Sequence, residues 1–261
     1  MEQLRTIGVE PGMTLVVHTS FRAVGPLDGG PDELIAALTE VTEPAGTVVM
    51  PTMTGSRRTE PFDPARTPTR NMGIVAETFW RQPGALRSDH PTSSFAARGA
   101  LAEVITAPQP LVPGHGPDSP IGRVHEHSGW VLLLGVGQDA NTTIHLAEHL
   151  AGVPYRVQKW TTVLVDDQPR RVEFDEIDHC CRNFDLVDGW LDEKGLQRHG
   201  TVGRADSRLM RSSDVVNVMV PVLQADPLRF LCQPDAGCDD CDLARSSLQS
   251  PDTDPIKPGS G

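Results

Sequence analysis

Four clusters of side chains in this 261-residue chain have the types and spacing to do chemistry. The first is His18-Thr19-Ser20-Phe21-Arg22-Ala23-Val24-Gly25, where an apolar run gives way to a loop that leads into a Gly-rich helix start. Backbone N–H groups, two hydroxyls and a helix N-terminus at such a place can hold the pyrophosphate of a nucleotide-like cofactor. On spacing alone, Thr19 and Ser20 can equally serve only the loop backbone. The second cluster runs from Asp139 to Glu148, with Asn141 or Thr142 as helix cap and with His145 and Glu148 on one helical face. An imidazole beside a carboxylate changes charge within the working pH range and suits a general base, although a lone helical histidine can also be structural. His149 falls on the neighbouring face.

The third cluster is Glu173-Phe174-Asp175-Glu176-Ile177-Asp178-His179-Cys180-Cys181. Its carboxylates can anchor an ammonium group or orient a histidine; helix N-terminal electrostatics and solvation account for acidic residues at such a junction just as well. The fourth is Cys232-x5-Cys238-x2-Cys241, whose last step matches structural zinc ligation, with Cys180 or Cys181 as the fourth ligand. Buried thiols without a metal are the alternative.

These clusters need elements to hold them. Met13 to Val17 and Thr47 to Met50 read as buried strands, and Pro31 to Val41 between them has helical spacing, a βαβ pattern that predicts a parallel pair. A polar loop follows over Gly55 to Arg70, then a helix over Gly73 to Arg81, a strand around Ser93 to Ala97 and a helix over Ala100 to Thr106. Pro108 to Pro120 is crowded with Pro and Gly and reads as a long loop. Trp130 to Val136, the most apolar run, reads as a central strand that delivers the second cluster at its C-terminal end, where α/β proteins place ligands. Thr161 to Val165 and Arg171 to Phe174 flank Asp166-Asp167-Gln168-Pro169 as a hairpin, and helices are expected over Cys181 to Glu193 and Asp214 to Leu223. Residues 1–245 read as one domain with two lobes, and 246–261 as a disordered tail poor in anything to bury.

With 38% apolar and 22% charged residues the composition is that of an ordinary soluble globular protein. No window approaches the roughly 18 apolar residues of a membrane span, and the N-terminus lacks the apolar core of a signal peptide, so the expected location is the cytoplasm. A formal net charge of −12 excludes a nucleic-acid partner, which needs clustered Lys and Arg, and suits a polycationic small molecule. Five cysteines, an odd number, do not make a secreted disulfide framework.

Taken together, His18 to Gly25, Arg87-Ser88-Asp89-His90-Pro91, Leu134-Gly135-Val136-Gly137, Asn141 to Glu148 and Asp178-His179-Cys180-Cys181 resemble the aminoglycoside 3-N-acetyltransferase family, and its type IV branch in particular. The resemblance runs in the same order from about Leu15 to Cys241 and extends to Gly237-Cys238-Asp239-Asp240-Cys241. It implies an α/β protein with a three-layer αβα arrangement around a central mixed, largely parallel sheet, distinct from the common N-acetyltransferase fold. It implies acetyl-CoA as donor, an aminoglycoside as acceptor and no metal in the chemistry; the expected assembly is a monomer or homodimer. Carried over by position, His145 matches the catalytic histidine. His18, Thr19, Ser20, Phe21, Arg22 and Val24, with Arg87 and Ser88, match the region that receives CoA. His115, Glu176 and Asp178, with Glu60 and Asp63, match the antibiotic side. Before Glu60-Pro61-Phe62-Asp63 the chain departs from the pattern, with Arg57-Arg58 where the similar type IV enzymes carry acidic residues.

The mechanism this implies is direct transfer in a ternary complex. His145 takes the proton of the 3-amino group as that nitrogen attacks the thioester, Asp178 or Glu148 holds the imidazole, and the Thr19-Ser20 or Thr142-Thr143 turn supplies donors for the oxyanion. The rival readings are a transferase of the same fold acting on another amine, a zinc-dependent hydrolase using some of the nine histidines, and a protein that sequesters the drug without turnover. The hydrolase lacks a His-Glu-x-x-His or comparable ligand pair.

Overall fold

Thr14–Thr19 and Trp130–Leu134 are buried at nearly every position because both faces of these strands are covered. The computed structural model describes residues 1–249. In chain order its elements are α1 (Glu2–Thr6), β1 (Thr14–Thr19), α2 (Phe21–Val24), α3 (Gly30–Thr42), β2 (Thr47–Pro51), α4 (Gly73–Phe79), β3 (Leu86–Arg87), β4 (Phe95–Gly99), α5 (Ala102–Ile105), α6 (Pro120–Glu126) and β5 (Trp130–Leu134). They continue as α7 (Thr143–Ala151), β6 (Val157–Val165), β7 (Gln168–Glu176), α8 (Leu186–Glu193), β8 (Gln197–Val202), β9 (Ala205–Arg211), α9 (Ser212–Ala225) and α10 (Asp239–Ser246), with 3-10 turns at Gln138–Ala140 and Arg182–Asp185.

Seven strands form one sheet in the order β3-β4-β2-β1-β5-β9-β8. Alternation along each strand splits the core between its two faces. Val16, Val49, Val131 and Leu133 face α7 and α9, through Ile144, Leu146, Val215 and Met219. Leu15, Val17, Met50, Leu132 and Leu134 face α3 and α4, through Leu34, Ile35, Leu38, Val75 and Phe79. The result is the expected three-layer αβα arrangement. The sheet is mixed, as expected, but not largely parallel: β1 runs parallel to β2 and to β5, and the other four pairings are antiparallel. The reasons are β4, which runs antiparallel to both β2 and β3, and the β8–β9 hairpin, which turns at Gly203-Arg204 and lays β9 antiparallel along β5.

Three local expectations are also corrected. Pro120 does not close a loop but opens α6, where its missing N–H costs nothing and the Ser119 hydroxyl accepts from the Gly122 N–H. The separate β6–β7 hairpin turns on Asp166-Asp167 alone, both at positive φ, so Gln168 and Pro169 already belong to β7. Ser246 ends α10, and the Ser247 hydroxyl accepts from the Arg156 N–H, so 246–249 are not a disordered tail; residues 250–261 lie outside the described residues. Among the described residues, no helix is long and apolar enough to cross a membrane.

Candidate active site

Where β5 ends, Gly135 takes a positive φ against the side chain of Ala23, and the chain turns over Gln138–Ala140 into α7. Thr142 is the N-cap residue of that helix, and Asn141 before it supplies the side-chain bond: its oxygen accepts from the Thr143 N–H while its amide donates to Gln138. The first turn of α7 then presents His145 to a cleft of about 1090 Å³ at the C-terminal ends of β1 and β5.

Behind His145 lies a buried carboxylate network. Nδ1 of His145 donates to Oε2 of Glu148 at 2.7 Å. Oε1 of Glu148 accepts from the Tyr155 hydroxyl at 2.6 Å and from Nε2 of His179 at 2.8 Å. The Cys181 N–H donates to Nδ1 of His179, which fixes that ring with its proton toward Glu148. Burial alone would raise the Glu148 pKa, but the bonds from His145 and His179 outweigh it and hold the carboxyl well below its usual range. Burial disfavours a charged His145, yet Cys181 and Glu148 prevail and raise its pKa well above the ordinary histidine value. With Nδ1 committed to Glu148, Nε2 is the atom available to exchange a proton, and Cys181 Sγ stands 3.6 Å from it. Asp178, the other carboxylate expected to hold the imidazole, pairs instead with Lys159 at 2.9 Å.

Around this pair, His115 lies with its ring centroid 5.3 Å from that of His145; burial keeps it uncharged, and its Nε2 has no partner among the described residues. Phe184 closes on His145 from another side at 5.2 Å. His18, pushed down to about 3 by burial, shares a hydrogen bond with the Thr142 hydroxyl. Oε2 of Glu176 accepts from the Gly114 N–H at 2.6 Å, and its Oε1 accepts from the Ile177 N–H and pairs with His149 at 3.1 Å. These contacts overcome its burial and bring its pKa down to about 2. His149 is therefore not idle on its face of α7.

Of the site residues named from the sequence, His18, Thr19, His115, His145, Glu176 and Asp178 line the cleft. Others do not. Ser20 caps α2 by accepting from the Ala23 N–H, and Val24 is core. Phe21 packs on the same core, and Arg22 lies in α2 outside the cleft lining. Arg87 spends its guanidinium on Thr52 and Thr67 and stacks over Trp80, beside a separate groove, while Ser88 is buried and accepts from the Phe95 N–H. Glu60 is exposed and Asp63 organises its own turn, accepting from the Ala65 N–H. Arg57, by contrast, lines the cleft, and neither Arg57 nor Arg58 pairs with Glu60 or Asp63 among the described residues.

The cysteine expectation is corrected at one ligand. Cys180, not Cys181, joins Cys232, Cys238 and Cys241, with all four sulfurs within 4.8 Å of one another. Cys181, in a left-handed conformation, turns to His145 instead. Sequence reasoning missed Tyr155, Lys159 and the function of His179 in the network. Tyr155 is the chain's single tyrosine, and a lone tyrosine just past a helix end is the signal the sequence offers.

The aminoglycoside 3-N-acetyltransferase family model matches residues 16–224. The chain is 53% identical to aminoglycoside N(3)-acetyltransferase IV of Salmonella sp over 237 residues, 90% of each protein. It is 35% identical to aminoglycoside N(3)-acetyltransferase VII of Streptomyces paromomycinus, over 82% of this chain and 86% of that one. Its structure superposes with a TM-score of 0.91 on a histidine-to-alanine variant of aminoglycoside acetyltransferase AAC(3)-IVa in complex with a gentamicin, at 52% identity over 94% of this chain and 95% of that one. It superposes with a TM-score of 0.80 on AAC-IIIb in its binary complex with CoASH, at 30% identity over 86% of this chain and 94% of the other. Fold and sequence agree: the chain belongs to the aminoglycoside 3-N-acetyltransferase family.

Proposed function

We propose that the chain transfers the acetyl group of acetyl-CoA to the 3-amino group of an aminoglycoside antibiotic, with His145 as general base in a ternary complex. The observation that carries this reading is the buried Glu148 carboxylate bonded to Nδ1 of His145, which leaves Nε2 facing the chemistry. The substrate amine displaces Cys181 Sγ from Nε2, gives up its proton there and attacks the thioester carbonyl. Glu148, itself fixed by Tyr155 and His179, stabilises the imidazolium that results, and the proton passes on to the departing CoA thiolate. For the oxyanion, Thr19 is the favoured donor: its hydroxyl has no partner among the described residues and it lines the cleft, whereas the Thr142 hydroxyl is engaged by His18. Neutral His115 flanks the ring without competing for charge.

Cys180, Cys232, Cys238 and Cys241 fit a structural zinc. The Sγ of Cys180 lies 3.4 Å from that of Cys232 and 3.6 Å from that of Cys241. Those separations approach the edge of about 3.8 Å in a tetrahedral zinc–thiolate site. Bound there, the metal would tie α10 to the segment carrying His179 and Cys181, and no step of the transfer runs through it. Dependence on acetyl-CoA and five free cysteines support a cytoplasmic enzyme. A thiol-release assay with acetyl-CoA and a panel of aminoglycosides tests the reading. Release that depends on the antibiotic is expected; no release with any member sinks it.

A further inference from the structure

The cleft wall carries an ion pair that the transfer mechanism does not use. Lys159, on β6, places Nζ 2.9 Å from Oδ2 of Asp178, and both residues line the cleft. The pairing is local to the wall: among the described residues Lys159 has no other anionic partner, and Asp178 no other cationic one. The loop bearing Arg57 is laced to the same strand. Its N–H donates to the carbonyl of Trp160 at 2.7 Å, and the Thr162 hydroxyl donates to the carbonyl of Arg58 at 2.8 Å. Arg57 therefore lies along the strand that carries Lys159, and both residues line the cleft with Asp178.

The consequence for a cationic acceptor follows from charge alone. A substrate ammonium can use the Asp178 carboxylate only by removing the protein's own ammonium, and while Lys159 stays it meets a like charge. We infer that Lys159 is a specificity-determining residue, an internal competitor that occupies Asp178 in the free enzyme and discriminates against acceptors bearing an additional ammonium at that position. This rests on the reading of the cleft as an aminoglycoside site. It goes beyond it by naming the residue that sets which members of the class bind well. The pair is partly solvated, with side chains 21% and 45% exposed, so the effect belongs to the modest class of surface ion pairs.

The test is steady-state CoA release by wild type, Lys159→Met, Lys159→Gln, Lys159→Arg and Lys194→Ala with aminoglycosides of graded charge. Lys194, exposed at the end of α8, controls for the loss of one positive charge away from the cleft. The Met and Gln variants should lower KM for the more highly charged acceptors by about two- to fivefold, with kcat little changed. The gain should shrink at about 0.5 M salt. Lys159→Arg should keep the wild-type KM, and Lys194→Ala should match wild type. A KM that is unchanged or raised in both neutral variants, or an equal fall in Lys194→Ala, overturns the inference while wild-type turnover leaves the acetyltransferase reading standing. Absence of turnover in wild type overturns both.

Discussion

At the scale of single residues, the site is a set of proton-holding choices made by burial. Glu148 has no exposed side-chain surface, so its charge is tolerable only because Tyr155, His145 and His179 all point donors at it. Cys181 and that charge together outweigh burial and raise the pKa of His145, and a base works only when neutral, so kcat/KM should rise with pH through a value above the ordinary histidine range near 6.5. Glu148→Gln removes the charge that favours the imidazolium. It should lower kcat and move this limb to lower pH, a shift read from pH–rate profiles of both proteins; an unmoved limb would mean that Glu148 does not set the basicity of His145. Much of this was legible in the sequence, since the spacing of His145 and Glu148 implies one helical face. What was not legible is which carboxylate wins. Asp178 and Glu148 are equally acidic as letters, and only the tertiary fold delivers Lys159 to the one and His179 to the other.

At the scale of elements, strands buried on both faces announce themselves in the sequence, whereas polar edge strands do not. β1, β2 and β5 are runs of Val, Leu and Met, and each reads close to its observed span. β8, Gln197-Arg198-His199-Gly200-Thr201-Val202, half exposed at the sheet edge, has no such run, so the hairpin that helps make the sheet mostly antiparallel is hidden at that level. Its turn is a sensitive point. Gly203 has φ +62, and a Cβ there would run into the carbonyl oxygen and side chain of Val24. Gly203→Ala should cost about 1–3 kcal/mol, measured as a fall in melting temperature of roughly 2–4 °C per kcal/mol. A variant as stable as the wild type would show that the turn yields without strain. Because β9 lies against β5, the hairpin supports the strand that leads to His145, and the site depends on an element with no chemistry of its own.

For the whole molecule, one short segment joins two distant parts of the chain. His179 holds Glu148, Cys180 gathers with three cysteines from the C-terminal region, and Cys181 contacts His145. The sequence shows the Cys-x2-Cys step but cannot say which of two adjacent cysteines completes it; a left-handed turn at Cys181 sends consecutive thiols to different places. Purified without added metal, the protein should contain about one equivalent of zinc. Chelation should release it, expose thiols to titration and lower the melting temperature, whereas freely titratable thiols with no bound zinc would leave the cluster as packed cysteines. The net charge of −12 fits a cationic acceptor, yet Arg57 and Lys159 in the cleft lining show that total charge does not describe the cleft. The account stands most directly on His145, and the decisive measurement is the turnover of His145→Ala with acetyl-CoA and an aminoglycoside that binds the folded variant. The account predicts a fall in kcat of about 10²- to 10⁴-fold with antibiotic affinity largely kept; a folded variant that turns over at near the wild-type rate would contradict it.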